Sequence, residues 1–138
     1  QCWQVLASKT ADMEARGMAA LIVTQFSFDP DACLKWLKEL RARGVDTPVR
    51  MGIPGPASIK ALLRFAARCG VGASASVMKK YGISLTNLIG SAGPDKLVNQ
   101  FAKGMAEEHD RVRLHFYPFG GLRKTVEWIG EYNHKHGL

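Results

Sequence analysis

Gln25 is the residue whose type and setting most invite chemistry. It stands within Leu21-Ile22-Val23-Thr24-Gln25-Phe26-Ser27-Phe28-Asp29-Pro30, a stretch that opens as an aliphatic, β-branched run of strand length and closes on Asp-Pro. The Asp29-Pro30 pair reads as the N-cap and first position of a helix, so a strand runs directly into a helix with Gln25 near the strand's carboxyl end. Parallel α/β sheets and barrels gather their ligands at that end. By alternation Leu21, Val23 and Gln25 share one face, and Ile22, Thr24 and Phe26 share the other. A side-chain amide placed there pairs either with a ligand or with neighbouring loop backbone.

Two further strand-to-helix loops are glycine-rich, Gly52-Ile53-Pro54-Gly55 and Phe119-Gly120-Gly121. The second leads into Leu122-Arg123-Lys124-Thr125, where free backbone N–H groups, the helix dipole and two cations suit a phosphate or carboxylate. Tight-turn geometry is the plainer explanation of Gly-Gly. Phe65 lies about 110° off the apolar stripe of its helix (Ile59, Leu62, Leu63, Ala66), as an edge contact to another helix or a stacking platform beside a pocket. His115 shares a strand face with Tyr117 and either lines a barrel interior or is a bonded core histidine. His134 and His136 have no cysteine or carboxylate at metal-ligand spacing. The chain has no Walker loop, no Gly-x-Ser-x-Gly elbow, and no paired carboxylates at the expected strand ends.

Hydrophobic periodicity supplies the elements that must position these residues. Helices are predicted over residues 3–16, from 30 to about 43, and over 56–69, 94–108 and 122 to about 133. Strands are predicted from 21, over 47–53 and over 112–117. Residues 71–94 are less periodic and read as short helices and loops. The order is that of an α/β fold with right-handed crossovers and a parallel sheet. Three strands are few for such a sheet, which needs cover on both faces, so the single domain (residues 1–138) reads as a section of a larger sheet or barrel.

The 138 residues are enough for one core, and 19 Lys and Arg against 12 Asp and Glu give a net charge of +7. The basic residues are scattered singly and in pairs along helices, with no interleaved stacking aromatics. That pattern is a solvated surface, and no nucleic-acid partner is expected. Cys2, Cys33 and Cys69 form no Cys-x-x-Cys motif, which suits a reducing cytoplasm. No signal peptide or membrane-spanning run is seen. The chain begins with Gln rather than Met, so it is expected to be processed, engineered or part of something longer.

Val23-Thr24-Gln25-Phe26-Ser27-Phe28-Asp29, followed one strand later by Gly52-Ile53 and then by His115-Phe116-Tyr117, resembles the C-terminal half of methylenetetrahydrofolate reductase. The resemblance covers almost the whole chain. Gly-Pro-Ala-Ser after the second strand and Phe-Gly-Gly-Leu-Arg-Lys-Thr after the third are similar to a divergent bacterial branch. The resemblance implies a (β/α)8 TIM barrel holding FAD at its strand tips, with the three strands here as the sixth, seventh and eighth. It implies hydride transfer from NADH or NADPH to flavin, then to 5,10-methylenetetrahydrofolate, giving the 5-methyl product.

The same resemblance implies that Gln25 contacts the folate pterin near the flavin and that Phe65 packs against folate. Tyr117 and Phe119 fall beside the site. Arg123 or Lys124 meets the folate glutamate or a cofactor phosphate. Three positions depart from the family pattern. Ala61 stands where the family has a second glutamine, and Gly121 stands where it has an arginine, with Arg123 two residues later. Met13 stands at the cationic flavin-phosphate position, with Lys9 one turn earlier. The proton-donating acid belongs to the first five strands, so the chain alone is expected to be inactive and to need the N-terminal half of the barrel, with a homo-oligomer also allowed. The alternative is a non-catalytic or vestigial half-barrel subunit that binds an anionic ligand at residues 120–124 or completes a barrel with another chain.

Overall fold

The computed structural model describes residues 2–71, 91–105 and 111–138. Helix α1 is Cys2–Ala15, followed by strand β1 at Ile22–Val23 and helix α2 at Pro30–Ala42. Strand β2 is Val49–Pro54, a short strand β3 is Ala57–Ser58, and helix α3 is Ile59–Arg68. After them come β4 at Ser91–Ala92, α4 at Asp95–Gly104, β5 at Val112–Tyr117 and α5 at Leu122–His136. Most of the stretch expected as short helices and loops, residues 72–90, and the last residues expected of the fourth helix, 106–110, lie outside the described residues.

Local chemistry sets several of these boundaries. The Asp29 carboxylate accepts from Ala32 N at 3.2 Å with Pro30 in the first turn, and Ser58 Oγ accepts from Ala61 N at 3.2 Å. Each satisfies a backbone donor that a helix start leaves unpaired. At the end of α2, Arg41 Nη1 donates to Val45 O at 2.7 Å and to Thr47 O at 3.0 Å, tying down the turn that delivers β2. The helix expected to begin at residue 56 instead starts at Ile59, because Ala57 and Ser58 pair antiparallel with Ala92 and Ser91. Two residues of ladder carry no readable alternation, so this pairing left no trace in the periodicity.

The main sheet is parallel, in the order β1-β2-β5. Val49, Met51 and Ile53 of β2 are buried, as is Val112 of β5, and they share a core with Leu37, Leu40, Ile59, Leu62, Leu97 and Phe101 from the helices. Phe116 extends that face to Trp128 of α5, ring centroids 5.6 Å apart. On the other face the register aligns Val23 with Arg50 and Arg113, then sets Gly52 beside His115 and Pro54 beside Tyr117. Val23 is 50% exposed, and Arg113 and His115 are exposed. The described helices therefore cover one face of the sheet. Parallel sheets are ordinarily covered on both faces, so the arrangement matches one arc of a TIM-barrel-like fold.

The edge strand departs from the sheet at its tip. Ile22 N donates to Pro48 O at 2.9 Å and Thr24 N to Arg50 O at 3.0 Å, but the next bond to β2 comes from Ser27 N to Gly52 O at 3.1 Å. Regular alternation would have used Phe26 N, so one extra residue is inserted: a bulge at Gln25-Phe26. That is why the regular strand stops at Val23 rather than running on to Gln25. The bulged backbone lies directly over Gly52, where an added Cβ would sit 2.7 Å from Thr24 O and 2.8 Å from both the carbonyl carbon and oxygen of Gln25. Gly130 of α5 has open space around the same position.

Gly52→Ala is therefore expected to cost about 1–3 kcal/mol, because backbone on both sides must move. Gly130→Ala is expected to stabilise by about 0.5–1 kcal/mol through helix propensity. Urea midpoints with an unchanged m-value measure both.

Candidate functional site

The carboxyl ends of β1, β2 and β5 converge on a hydrogen bond that skips a strand. Tyr117 Oη, at the end of β5, donates to Thr24 O at 2.9 Å, at the tip of β1. In a regular ladder Thr24 O would accept from Gly52 N. Here Gly52 N donates to Thr24 Oγ1 at 2.8 Å instead, so the threonine hydroxyl replaces the carbonyl that the tyrosine has taken. No orphan backbone group results, and the outer strands of the sheet are joined across the middle one.

The same tip builds an aromatic cluster. Phe26, 2% exposed, meets Phe119 edge-on at 4.8 Å, Phe28 edge-on at 5.8 Å and Tyr117 at 5.6 Å. Phe119 stacks on Phe65 of α3 at 4.4 Å with planes 16° apart, and on Tyr117 at 5.8 Å with planes 26° apart. His115 sits edge-on to Tyr117 at 5.0 Å. Such offset and edge-to-face pairs add to area burial and hold ring directions. Phe65, Tyr117 and Phe119 are each half-buried, so the cluster keeps part of its aromatic surface available.

Of the residues singled out from the sequence, Phe65, Tyr117 and Phe119 are thus brought into contact, and Gln25 borders them through Phe26. Gln25 is exposed, and its Oε1 accepts from Phe26 N at 3.1 Å. That bond caps the amide left over by the bulge, which is the loop-backbone pairing open to Gln25 from the start. Its Nε2 donates to no described residue and stays available. Arg123 and Lys124 are exposed in the first turn of α5, behind Gly121 at φ 104°. Lys9 is exposed on α1, and no hydrogen bond or ion pair among the described residues links it to the strand tips.

The two glycine-rich loops pack on each other. A Cβ at Gly120 would collide with Pro56 O and Ala57 Cα, and one at Gly55 would meet Thr125 Oγ1 at 2.9 Å and Tyr117 O at 3.2 Å. Gly55 N donates to Tyr117 O at 2.9 Å, which stitches the first loop to the end of β5. What approaches Gly120 is thus the other loop, and what approaches Gly55 is the end of β5 and the first turn of α5. Phe26 and Thr24 were not among the sequence candidates. Alternation alone assigns both to the helix-facing side, and nothing in their types announces a bulge.

Beside the tip, a cleft of about 470 Å³ opens between α1, β1 and α2, lined by Leu6, Thr24, Gln25, Cys33, Trp36 and Met51 among others. Burial raises the Cys33 thiol pKa, opposed by a hydrogen bond with Ser27 and reinforced by the nearby Asp29 carboxylate. A thiol so placed acts as a small apolar residue rather than a nucleophile. Among the described residues no group of three or more His, Cys, Asp or Glu could hold a metal ion, and no helix is long and apolar enough to cross a membrane.

The family model described as methylenetetrahydrofolate reductase matches residues 13–126, a span that includes every strand tip in the cluster.

Tyr117→Phe keeps the ring contacts and removes only the donor to Thr24 O, so it is expected to lower stability by about 0.5–1.5 kcal/mol. Tyr117→Ala removes ring and hydroxyl together and is expected to cost more. Equilibrium urea unfolding of the pair separates the two contributions, and an unchanged Tyr117→Phe would show that the strand-skipping bond contributes nothing.

Proposed function

The chain belongs to the methylenetetrahydrofolate reductase family, and we propose that its strand tips form the folate-facing part of a flavin-dependent reductase. Family membership by itself marks a folate-related oxidoreductase domain. The finer reading takes β1, β2 and β5 as the sixth, seventh and eighth strands of a (β/α)8 barrel. The reaction assigned is reduction of 5,10-methylenetetrahydrofolate to 5-methyltetrahydrofolate with NADH or NADPH.

The observation that carries this reading is the juxtaposition of an available amide with half-buried ring faces. A pterin is a flat heterocycle with hydrogen-bonding groups along one edge. Gln25 Nε2 can donate to that edge while Oε1 remains anchored on Phe26 N. The Phe65–Phe119 stack offers a flat apolar surface of matching chemistry. Arg123 and Lys124, at the start of α5, would meet the negatively charged glutamate tail or a cofactor phosphate.

The available amide and aromatic surface also fit the rim of a flavin site, and Gln25, Lys9 and Lys124 would hold part of it. FAD held there would supply the hydride-transfer chemistry between the nicotinamide and the folate. This chain's residues act by placement. Tyr117 and Gly52 fix the tip from which Gln25 projects, and the cluster excludes water from the surface on which the substrate lies.

In the complete protein, Gln25→Ala is expected to weaken transition-state stabilisation for the folate by about 1–3 kcal/mol, because ligand groups lose their partner. The measurement is kcat/KM for folate and for nicotinamide oxidation with an artificial acceptor, where only the first should fall. Unchanged folate kinetics would remove Gln25 from the site.

A further inference from the structure

The Thr24 hydroxyl joins the middle strand to the residue assigned to the ligand. Thr24 is half-buried, and its Oγ1 accepts from Gly52 N at 2.8 Å and donates to the backbone carbonyl of Gln25 at 3.0 Å. A hydroxyl has one proton and two lone pairs, so a single side chain serves both bonds at once. The acceptor that competes for the proton, Met51 Sδ at 3.7 Å, is a weak one. The Gln25 peptide also lies directly on Gly52, where a Cβ would sit 2.8 Å from both the carbonyl carbon and oxygen. Gln25 is therefore held at its carbonyl by the Thr24 hydroxyl, at its peptide plane by the Gly52 backbone, and at Oε1 by Phe26 N at 3.1 Å. These contacts leave the Nε2 end for a ligand.

We infer that Thr24 is a positioning residue for folate reduction: its hydroxyl fixes the Gln25 peptide and so aims the side-chain amide, while touching no ligand itself. This role rests on the folate reading of the strand tips. A bulge takes its residues out of the regular ladder, so the Gln25 peptide is not oriented by the sheet bonds that fix its neighbours. Each orientation it could sample would carry the side chain to a different place. The bond from Thr24 Oγ1 selects one of them before a ligand arrives, and a donor already in place loses less freedom when the reacting geometry forms. Valine has nearly the same shape but no hydroxyl, so it would leave Gly52 N–H unpartnered and release the Gln25 carbonyl. Serine would keep both bonds and lose only a methyl group.

The test is a double-mutant cycle in the complete protein, read as kcat/KM for 5,10-methylenetetrahydrofolate and, separately, for nicotinamide oxidation with an artificial acceptor. Thr24→Val is expected to lower the folate value at least about fivefold and to hold the nicotinamide value within about twofold. Thr24→Ser should restore the folate value to within about twofold. In a Gln25→Ala background, Thr24→Val should change the folate value by less than about twofold, because the amide it aims is gone. A threonine that only stabilises the fold would lower both reactions and add its full effect to that of Gln25→Ala. If Thr24→Val does not fold by circular dichroism, Thr24→Cys, whose thiol is a weak donor and acceptor, must still fall at least about twofold below Thr24→Ser. Equal loss in both reactions, full additivity with Gln25→Ala, or no rescue by serine would each overturn the assignment. A loss in Gln25→Ala with Thr24→Val unaffected overturns the role of Thr24 alone, whereas unchanged folate kinetics in Gln25→Ala overturns the folate reading and this role together.

Discussion

One hydrogen bond organises the carboxyl end of this sheet, from the Tyr117 hydroxyl to the Thr24 carbonyl. Parallel strands exchange backbone bonds only with their immediate neighbours, and β1 and β5 are separated by β2. The bond is possible because the intervening position is Gly52, whose missing side chain lets the β1 backbone lean inward over the sheet. It is affordable only because Thr24 Oγ1 takes over the N–H of Gly52 that the displaced carbonyl abandons. Thr24, Gly52 and Tyr117 are therefore a single device, and removing any one strands a polar group or closes the space the other two require.

What the device accomplishes is an aimed strand tip. The bulge it supports turns Phe26 into the cluster with Tyr117 and Phe119 and leaves Gln25 facing out, its carbonyl oxygen anchored on the following amide. Loops near binding sites are usually the mobile part of a domain. Here the loops after β2 and β5 are locked together by glycines at which no Cβ fits, and the stacked rings of Phe65 and Phe119 tie both to α3. A ligand arriving at such a surface meets side chains already ordered, so little conformational entropy is lost on binding.

The sheet below is strongly asymmetric. Its helix-facing side holds the core, while the opposite side carries arginines, a histidine and half-exposed valine. A parallel sheet with one such face cannot be at its most stable alone, since backbone and apolar edge remain open to water. The proposed site at the tips and the cover of the sheet are thus two separate demands on the same three strands.

The order of the three main-sheet strands and the helices around them, the Asp29-Pro30 helix start and the parallel α/β class were legible in the sequence, because periodicity and capping depend on local geometry that a few neighbouring residues decide. Family membership was legible too, carried by Thr24-Gln25-Phe26 and His115-Phe116-Tyr117 in their order. Phe65's distance from its apolar stripe already marked it as facing something other than the core of its own helix. The bulge, the crossing over Gly52 and the exchange of partners between Thr24 and Tyr117 were not legible, since the bonds behind them join residues 28 and 93 apart in the chain. Nor could spacing reveal that Gly120 leaves room for the backbone of residues 56 and 57 or that Gly55 leaves room for Tyr117 O and Thr125. Local sequence determines which elements form and which residues reach the strand ends. Only the tertiary structure decides how those ends lean, because that depends on contacts between backbones that no single stretch contains.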